Sequence, residues 1–139
     1  MIVYSLYYGL HSLSAVVFIA LLFLPLAVGG LGRMSAAQRL RRLRVWRVIV
    51  NLGNLFLVIS LITGVLMRPS FASVWFWLVI LVFFAMGAFL GMAGKSMRLI
   101  AEAAAGEGEA AGQVARLQRF AQLLALSIAV MIVLMLFPW

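Results

Sequence analysis

The chain has 139 residues, of which 67% are hydrophobic and 10% are charged, and its mean hydropathy is +1.20. A water-soluble domain has about 25% charged residues, so this chain has too few charges to cover a surface that faces water. The same hydrophobicity excludes a disordered chain. Because cysteine is absent, disulfides, thiolate nucleophiles and iron–sulfur clusters are excluded as well.

Long stretches without Asp, Glu, Lys or Arg dominate the sequence, at residues 1–32, 48–67, 69–94 and 120–139. A helix of about 20 apolar residues crosses a hydrocarbon core of roughly 30 Å. In lipid the backbone must satisfy its own hydrogen bonds, which favours helices. We therefore predict an all-α polytopic membrane protein, one domain over 1–139 that forms a four-transmembrane-helix bundle, with helices at about 4–30, 46–67, 74–94 and 120–138.

The first stretch differs from a secretory signal peptide. It has no basic residue ahead of the apolar run, and the run exceeds the ~7–15 residues of a signal h-region. We therefore expect a mature transmembrane helix. Pro25 lacks an amide donor and clashes with the preceding turn, which predicts a kink near Leu21.

The basic residues predict the orientation of the helices. Arg68 alone lies between the second and third predicted helices, and the other cations lie in or beside the loops 31–45 and 95–119. The positive-inside rule places both of these loops in the cytoplasm and both termini outside. We expect the membrane to be a bacterial-type inner (plasma) membrane. Interfacial aromatic residues agree, with Trp46 at the inner face and the others at the outer face: Tyr4, Tyr7, Tyr8, Trp75, Trp77 and Trp139.

The net charge of +8 does not indicate a nucleic-acid partner, because most of the cations occupy these topological positions. The first loop and the start of the second helix carry Arg39, Arg41, Arg42, Arg44 and Arg47, with Leu40, Leu43 and Trp46 between them. Two interpretations stay open. These residues stop the first helix, or they form a short amphipathic turn that binds anionic lipid headgroups.

The loop at 95–119 is rich in alanine and is interrupted by Gly106, Gly108 and Gly112. Alanine favours a helix and glycine breaks it. We therefore expect the third helix to run past the membrane, a flexible tip, and an early start of the fourth helix. All three acidic residues of the chain lie here, and we expect them to be solvated and without a catalytic role: Glu102, Glu107 and Glu109.

His11 is the only histidine and lies within the first predicted helix. Polar side chains within a membrane are costly and often functional. One interpretation is a ligand to haem iron or copper, or a hydrogen-bond partner of a quinone. The other is a histidine that bonds to a Tyr or Asn inside the bundle.

Methionines at a similar predicted depth extend the first interpretation. Met131 and Met86 are the candidates for a cofactor site with His11, and Met67 and Met135 lie nearer the outer face. A histidine with one or two thioethers suits Cu(I) or a His/Met haem. The alternative is ordinary packing. A haem with two histidine ligands would require two copies of the chain.

Small and amide residues indicate how the helices meet. Asn51 and Asn54 lie one turn apart on the second helix, where they either bond to a neighbouring helix or bind a polar ligand. Glycines allow backbones to approach closely. Four glycines of the second and third helices are candidates for such contacts: Gly53, Gly64, Gly87 and Gly91. They either pack helices within the chain or join protomers, so we expect a homo- or hetero-oligomer.

Four segments carry a resemblance to known proteins: LHSLSAVVF at 10–18, VNLGN at 50–54, LITGVLM at 61–67 and VMIVLMLFP at 130–138. The chain resembles small bacterial membrane proteins related to the CopD copper-resistance domain and to HemJ-like protoporphyrinogen oxidases. The resemblance implies that His11 corresponds to a helix-one histidine that binds haem or copper. The chain departs from that pattern because it has no second histidine, and its only lysine is Lys95, at the cytoplasmic end of the third helix.

These observations support three functions. The first is a redox or metal-handling role in which His11 holds haem b or copper near the outer face. The second is a non-catalytic accessory or assembly subunit of a larger respiratory or transport complex, and the third is a small oligomeric transporter. The sequence has no Ser–His–acid set, phosphate loop or zinc spacing, so any catalysis would belong to a bound cofactor.

Overall fold

The computed structural model describes residues 1–67, 70–104 and 110–137 and is helical throughout these ranges, apart from short connections. In chain order the helices are α1 (Ile2–Leu21), α2 (Leu24–Val28), a 3₁₀ turn (Leu31–Arg33), α3 (Ala36–Met67), α4 (Val74–Ala104) and α5 (Ala110–Leu136). Four helical segments of the described chain are long and apolar enough to cross a membrane, with α1, α2 and the 3₁₀ turn forming the first of them. The predicted all-helical four-span architecture is confirmed.

The first membrane segment is interrupted where Pro25 predicts a kink. The α1 helix ends at Leu21, and α2 begins at Leu24 with the proline in its first turn. At this position the missing amide donor of proline costs nothing, because the first amides of a helix have no partner inside it. The connection is tightened by a bond from the amide of Phe23 to the carbonyl of Ala20, at 3.2 Å.

The α3 helix begins at Ala36, well before the predicted boundary at residue 46. A capping box explains the early start: the amide of Ser35 donates to Oε1 of Gln38 at 3.3 Å, and the amide of Gln38 donates to Oγ of Ser35 at 3.4 Å. Most of the predicted loop at 31–45 is therefore helical. The arginines of residues 39–47 lie on the first turns of α3.

At the other connection that is predicted to be cytoplasmic, α4 continues to Ala104 and α5 begins at Ala110. The predicted extension of the third helix and the early start of the fourth both agree with these bounds. The flexible tip predicted at Gly106 and Gly108, the acidic residues Glu107 and Glu109, and Trp139 lie outside the described residues.

Each of the long helices packs mainly on one or two neighbouring helices. The α1 helix packs mainly on α3, α3 on α4, and α4 on α5, while α2 packs on α5 and closes the bundle. Most of the fully buried side chains lie in the half of the bundle that carries the long connections: Leu21, Leu24, Val28, Leu31, Leu43, Leu90, Met97, Ile100, Leu117 and Leu124. Met86 and Ile128 lie in the other half. The bundle is therefore packed most tightly at its predicted cytoplasmic end.

Candidate functional site

His11 lies half-buried where α1 packs against α3. Its Nδ1 atom is 3.3 Å from Oγ1 of Thr63 and 3.4 Å from Oγ of Ser60. The sequence predicted Tyr or Asn as the partners of a structural histidine. The partners are instead two hydroxyl groups of α3, three residues apart, which places them on the same face of that helix.

The hydrogen bonds of Thr63 favour one tautomer of His11. The Thr63 hydroxyl donates to the carbonyl of Ile59 at 2.8 Å, so its single hydrogen is already used. In the tautomer that carries its hydrogen on Nδ1, the oxygen of Thr63 accepts from Nδ1–H of His11 and Nε2 carries the lone pair. No hydrogen bond to Nε2 occurs among the described residues. The imidazole is thus held through one nitrogen while the other is free to act as an acceptor or a ligand.

Gly64 lies beside the imidazole ring of His11. A Cβ atom at Gly64 would lie 3.4 Å from Cε1 and 3.8 Å from Nδ1 of His11. A larger side chain there would push against the ring. The TG pair at Thr63 and Gly64 therefore supplies both the acceptor and the space that the imidazole occupies on α3.

The candidate methionines occupy different environments. Met86 and Met131 are buried in the core cluster, with 1% and 8% of their surface exposed. Met67 is half-buried and Met135 is exposed. Within the described residues, no hydrogen bond joins a methionine sulfur to His11, and no group of three His, Cys, Asp or Glu side chains is positioned to hold a metal.

The predicted packing glycines meet side chains of neighbouring helices inside the chain. A Cβ at Gly53 would lie 2.8 Å from Cδ1 of Leu21 and 3.3 Å from Cδ2 of Leu90, so three helices converge at this point. A Cβ at Gly87 would lie 3.1 Å from Cδ2 of Leu57. Gly91 differs, because nothing lies within 4 Å of a Cβ placed there.

The two asparagines face a groove between α3 and α4. Nδ2 of Asn54 donates to the carbonyl of Val50 on its own helix at 3.3 Å. The Asn51 amide makes no hydrogen bond within the described part of the chain, and both side chains are exposed. The described structure therefore shows no bond from either amide to a neighbouring helix.

Three long polar side chains have a role that sequence reasoning missed. The end of α2 and the 3₁₀ turn that follows it present backbone carbonyls that are not fully satisfied inside a helix, and such groups are costly when buried. Arg39 donates to the carbonyl of Leu31 at 3.1 Å, and Arg42 donates to that of Ala27 at 3.2 Å. Gln118 reaches from α5 to the carbonyl of Val28 at 3.2 Å.

These bonds give part of the arginine-rich segment a structural function, since Arg39 and Arg42 fix the connection from α2 to α3. The proline and the S-A-A-Q capping box are local signals for that connection. No local signal points to Gln118, because it lies far along the chain from Val28.

Comparisons with protein-family models, with curated proteins and with solved structures find no match to this chain. The likeness to CopD and HemJ proteins therefore stays an expectation from the quoted segments. The four apolar helices make the chain a multi-pass integral membrane protein.

Proposed function

We propose that this protein is a membrane haem protein in which Nε2 of His11 is the protein ligand to the iron of haem b. One observation carries the proposal: Nδ1 of His11 lies 3.3 and 3.4 Å from the hydroxyl oxygens of Thr63 and Ser60, whereas no hydrogen bond within the described residues uses Nε2. Histidine ligands of metals typically use one nitrogen for the metal while the other donates a hydrogen bond that fixes the ring.

The donor set favours haem over copper. A single proximal histidine is sufficient to hold haem iron. A copper ion requires several nitrogen or sulfur donors, and the candidate thioethers of Met86 and Met131 are buried in the packed core. The residues present therefore fit a haem with one histidine ligand better than a His–Met copper site.

Within this function, His11 binds the iron and Thr63 orients the imidazole. Haem supplies one-electron redox chemistry when it is bound. Ser60 adds a second hydroxyl beside Nδ1, and Gly64 leaves room for the ring on α3. The apolar helices around His11 exclude water from the ligand, which affects the redox potential of such a site. The resemblance to CopD and HemJ proteins supports the same assignment for a histidine on the first helix.

The test is an absorption spectrum of the full chain, purified in detergent after expression with added haem precursor. We expect a Soret band in the wild-type protein and its loss in His11→Ala. Ser12→Ala is the matched control, because Ser12 is the exposed neighbour on the same helix and makes no described hydrogen bond. Thr63→Val tests positioning and should shift the reduced spectrum or weaken haem retention while the helical content stays unchanged.

The proposal fails if the wild-type protein takes up no haem while its circular dichroism spectrum shows folded helices. It also fails if His11→Ala keeps the full Soret band. Copper is measured in the same samples, and stoichiometric copper lost in His11→Ala would replace haem as the ligand of this histidine.

A second function, that of an accessory subunit in a larger membrane complex, is favoured by the outer half of α1. None of residues 1–13 is buried, and Ile2 and Leu6 expose 87% and 58% of their surfaces. This end of the helix has the area to contact another subunit. If the protein is an accessory subunit, a photo-crosslinking residue placed at position 6 of α1 should trap one defined protein. If α1 contacts only lipid, the same residue should give only lipid adducts.

A further inference from the structure

A polar groove lies between α3 and α4 at their predicted cytoplasmic ends. It has a volume of about 270 Å³ and is lined by two short series of residues. From α3 come Arg47, Val50, Asn51 and Asn54, and from α4 come Gly91, Gly94, Lys95 and Arg98. Spacings of three, four and seven residues place each series on one face of its helix.

The groove exists because α4 lacks side chains where α3 passes it. The helices approach closely on both sides of the gap, since a Cβ at Gly87 would lie 3.1 Å from Leu57 and one at Gly94 would lie 3.5 Å from Val50. Between these contacts, Gly91 has nothing within 4 Å of an added Cβ. The groove is therefore lined by both helices, but no side chain fills it.

The polar groups of the groove carry an excess of positive charge. Within the described residues the nearest carboxylate is that of Glu102, which lies 4.0 Å from Nε of Arg98 at the exposed rim. Arg47 and Lys95 make no ion pair within the same residues. The Asn51 amide is also unused, and Asn54 keeps its Oδ1 free while Nδ2 bonds to its own helix. Unpaired donors from two helices therefore face the same space.

We propose that this groove binds the phosphate group of an anionic phospholipid from the cytoplasmic leaflet. Arg47 precedes the charge-free stretch 48–67, and Lys95 follows the charge-free stretch 69–94, so both cations lie at the level of lipid headgroups. Basic pockets between membrane helices on the cytoplasmic side are typical sites for such headgroups. This site is independent of His11 and of any haem.

The depth of the asparagines favours a lipid over a soluble anion. Asn51 and Asn54 lie one and two turns further into the membrane than Arg47, where an amide can donate to glycerol or ester oxygens. The groove is smaller than the roughly 300–1,000 Å³ of a typical small-molecule pocket, so it fits a headgroup and not a whole lipid. Leu55 and Val58 leave exposed apolar surface on α3 next to it for the acyl chains.

Native mass spectrometry of the full chain in neutral detergent, titrated with phosphatidylglycerol, tests the site. We expect Arg47→Gln and Lys95→Gln each to weaken binding about fivefold, which is the usual contribution of one cation near a membrane surface. Arg41→Gln is the matched control, because Arg41 is an exposed arginine of α3 that lies outside the groove and off the face shared by Arg47 and Asn51. Equal weakening by all three substitutions overturns the proposal.

Two further measurements separate a built site from general attraction. Gly91→Leu fills the groove without changing charge and should weaken binding, whereas Ala88→Leu, at an exposed position of α4, should not. If Gly91→Leu binds like the wild-type protein, the groove is not the site. Phosphatidylcholine should bind more weakly than phosphatidylglycerol. Displacement of the lipid by millimolar glycerol phosphate or inorganic phosphate would instead assign the groove to a soluble anion and refute the lipid.

Discussion

The α carbon of Gly53 faces the side chain of Leu21 so closely that a Cβ at residue 53 would lie 2.8 Å from Cδ1 of the leucine. Leu21 is the last residue of α1 and is completely buried. The contact joins the end of the first helix to the middle of α3, directly ahead of the break at Pro25. It sets how closely these two helices approach.

Enlarging Gly53 should destabilise the bundle. Gly53→Val adds methyl groups against Leu21 and Leu90, and overpacking of this kind costs about 1–3 kcal/mol. Gly53→Ala should cost less, because the ends of the leucine side chains can shift. Thermal unfolding in detergent, followed by circular dichroism, measures the change. Gly91→Ala is the control with open space, and a loss of stability there equal to that of Gly53→Val would contradict the contact.

The start of α4 is joined to the end of α5 by Trp75, whose Nε1 donates to the carbonyl of Leu134 at 2.8 Å. Trp75→Phe keeps an aromatic ring but removes this donor, so we expect a loss of about 0.5–1.5 kcal/mol. Trp77→Phe is the matched control, because Nε1 of Trp77 bonds to the nearby carbonyl of Phe71 and the side chain is exposed. Denaturation curves of the two variants should differ, and identical midpoints would count against the link between the helices.

The carbonyls at the end of α2 accept hydrogen bonds from the side chain of Gln118 on α5. Gln118→Ala removes the donor to the carbonyls of Val28 and Gly29, at 3.2 and 3.4 Å, and should cost about 1 kcal/mol. Gln122 lies one turn further along α5, is exposed and makes no described hydrogen bond. Gln122→Ala should therefore leave the stability unchanged. Hydrogen exchange at the amides of residues 26–30 localises the effect, which should be absent from α4.

The orientation of the chain is testable because its sequence contains no cysteine. A single cysteine introduced as Ser70→Cys, between α3 and α4, should react in intact cells with a membrane-impermeant maleimide. The paired variant Arg44→Cys, at the start of α3, should react only after permeabilisation. Reaction of Arg44→Cys from outside the cell would reverse the predicted topology.

The number of membrane helices and their approximate centres follow from the sequence alone, because a charge-free run of sufficient length has few alternatives in lipid. Local signals also account for two boundaries. Pro25 ends α1 at Leu21, and the capping box of Ser35 and Gln38 begins α3 ahead of the arginines. The latter signal is present in the sequence, but the predicted boundary followed the charges and missed it.

Which side chains meet was decided only by the tertiary structure. In a soluble helix, polar and apolar faces reveal what is buried, but a membrane helix is apolar on every side and its pattern does not show which face packs on protein. The sequence therefore singled out His11 without identifying Thr63 as its partner, and singled out Asn51 without placing it in a groove with Lys95. Such pairs lie far apart along the chain, and only the packing of whole helices brings them together.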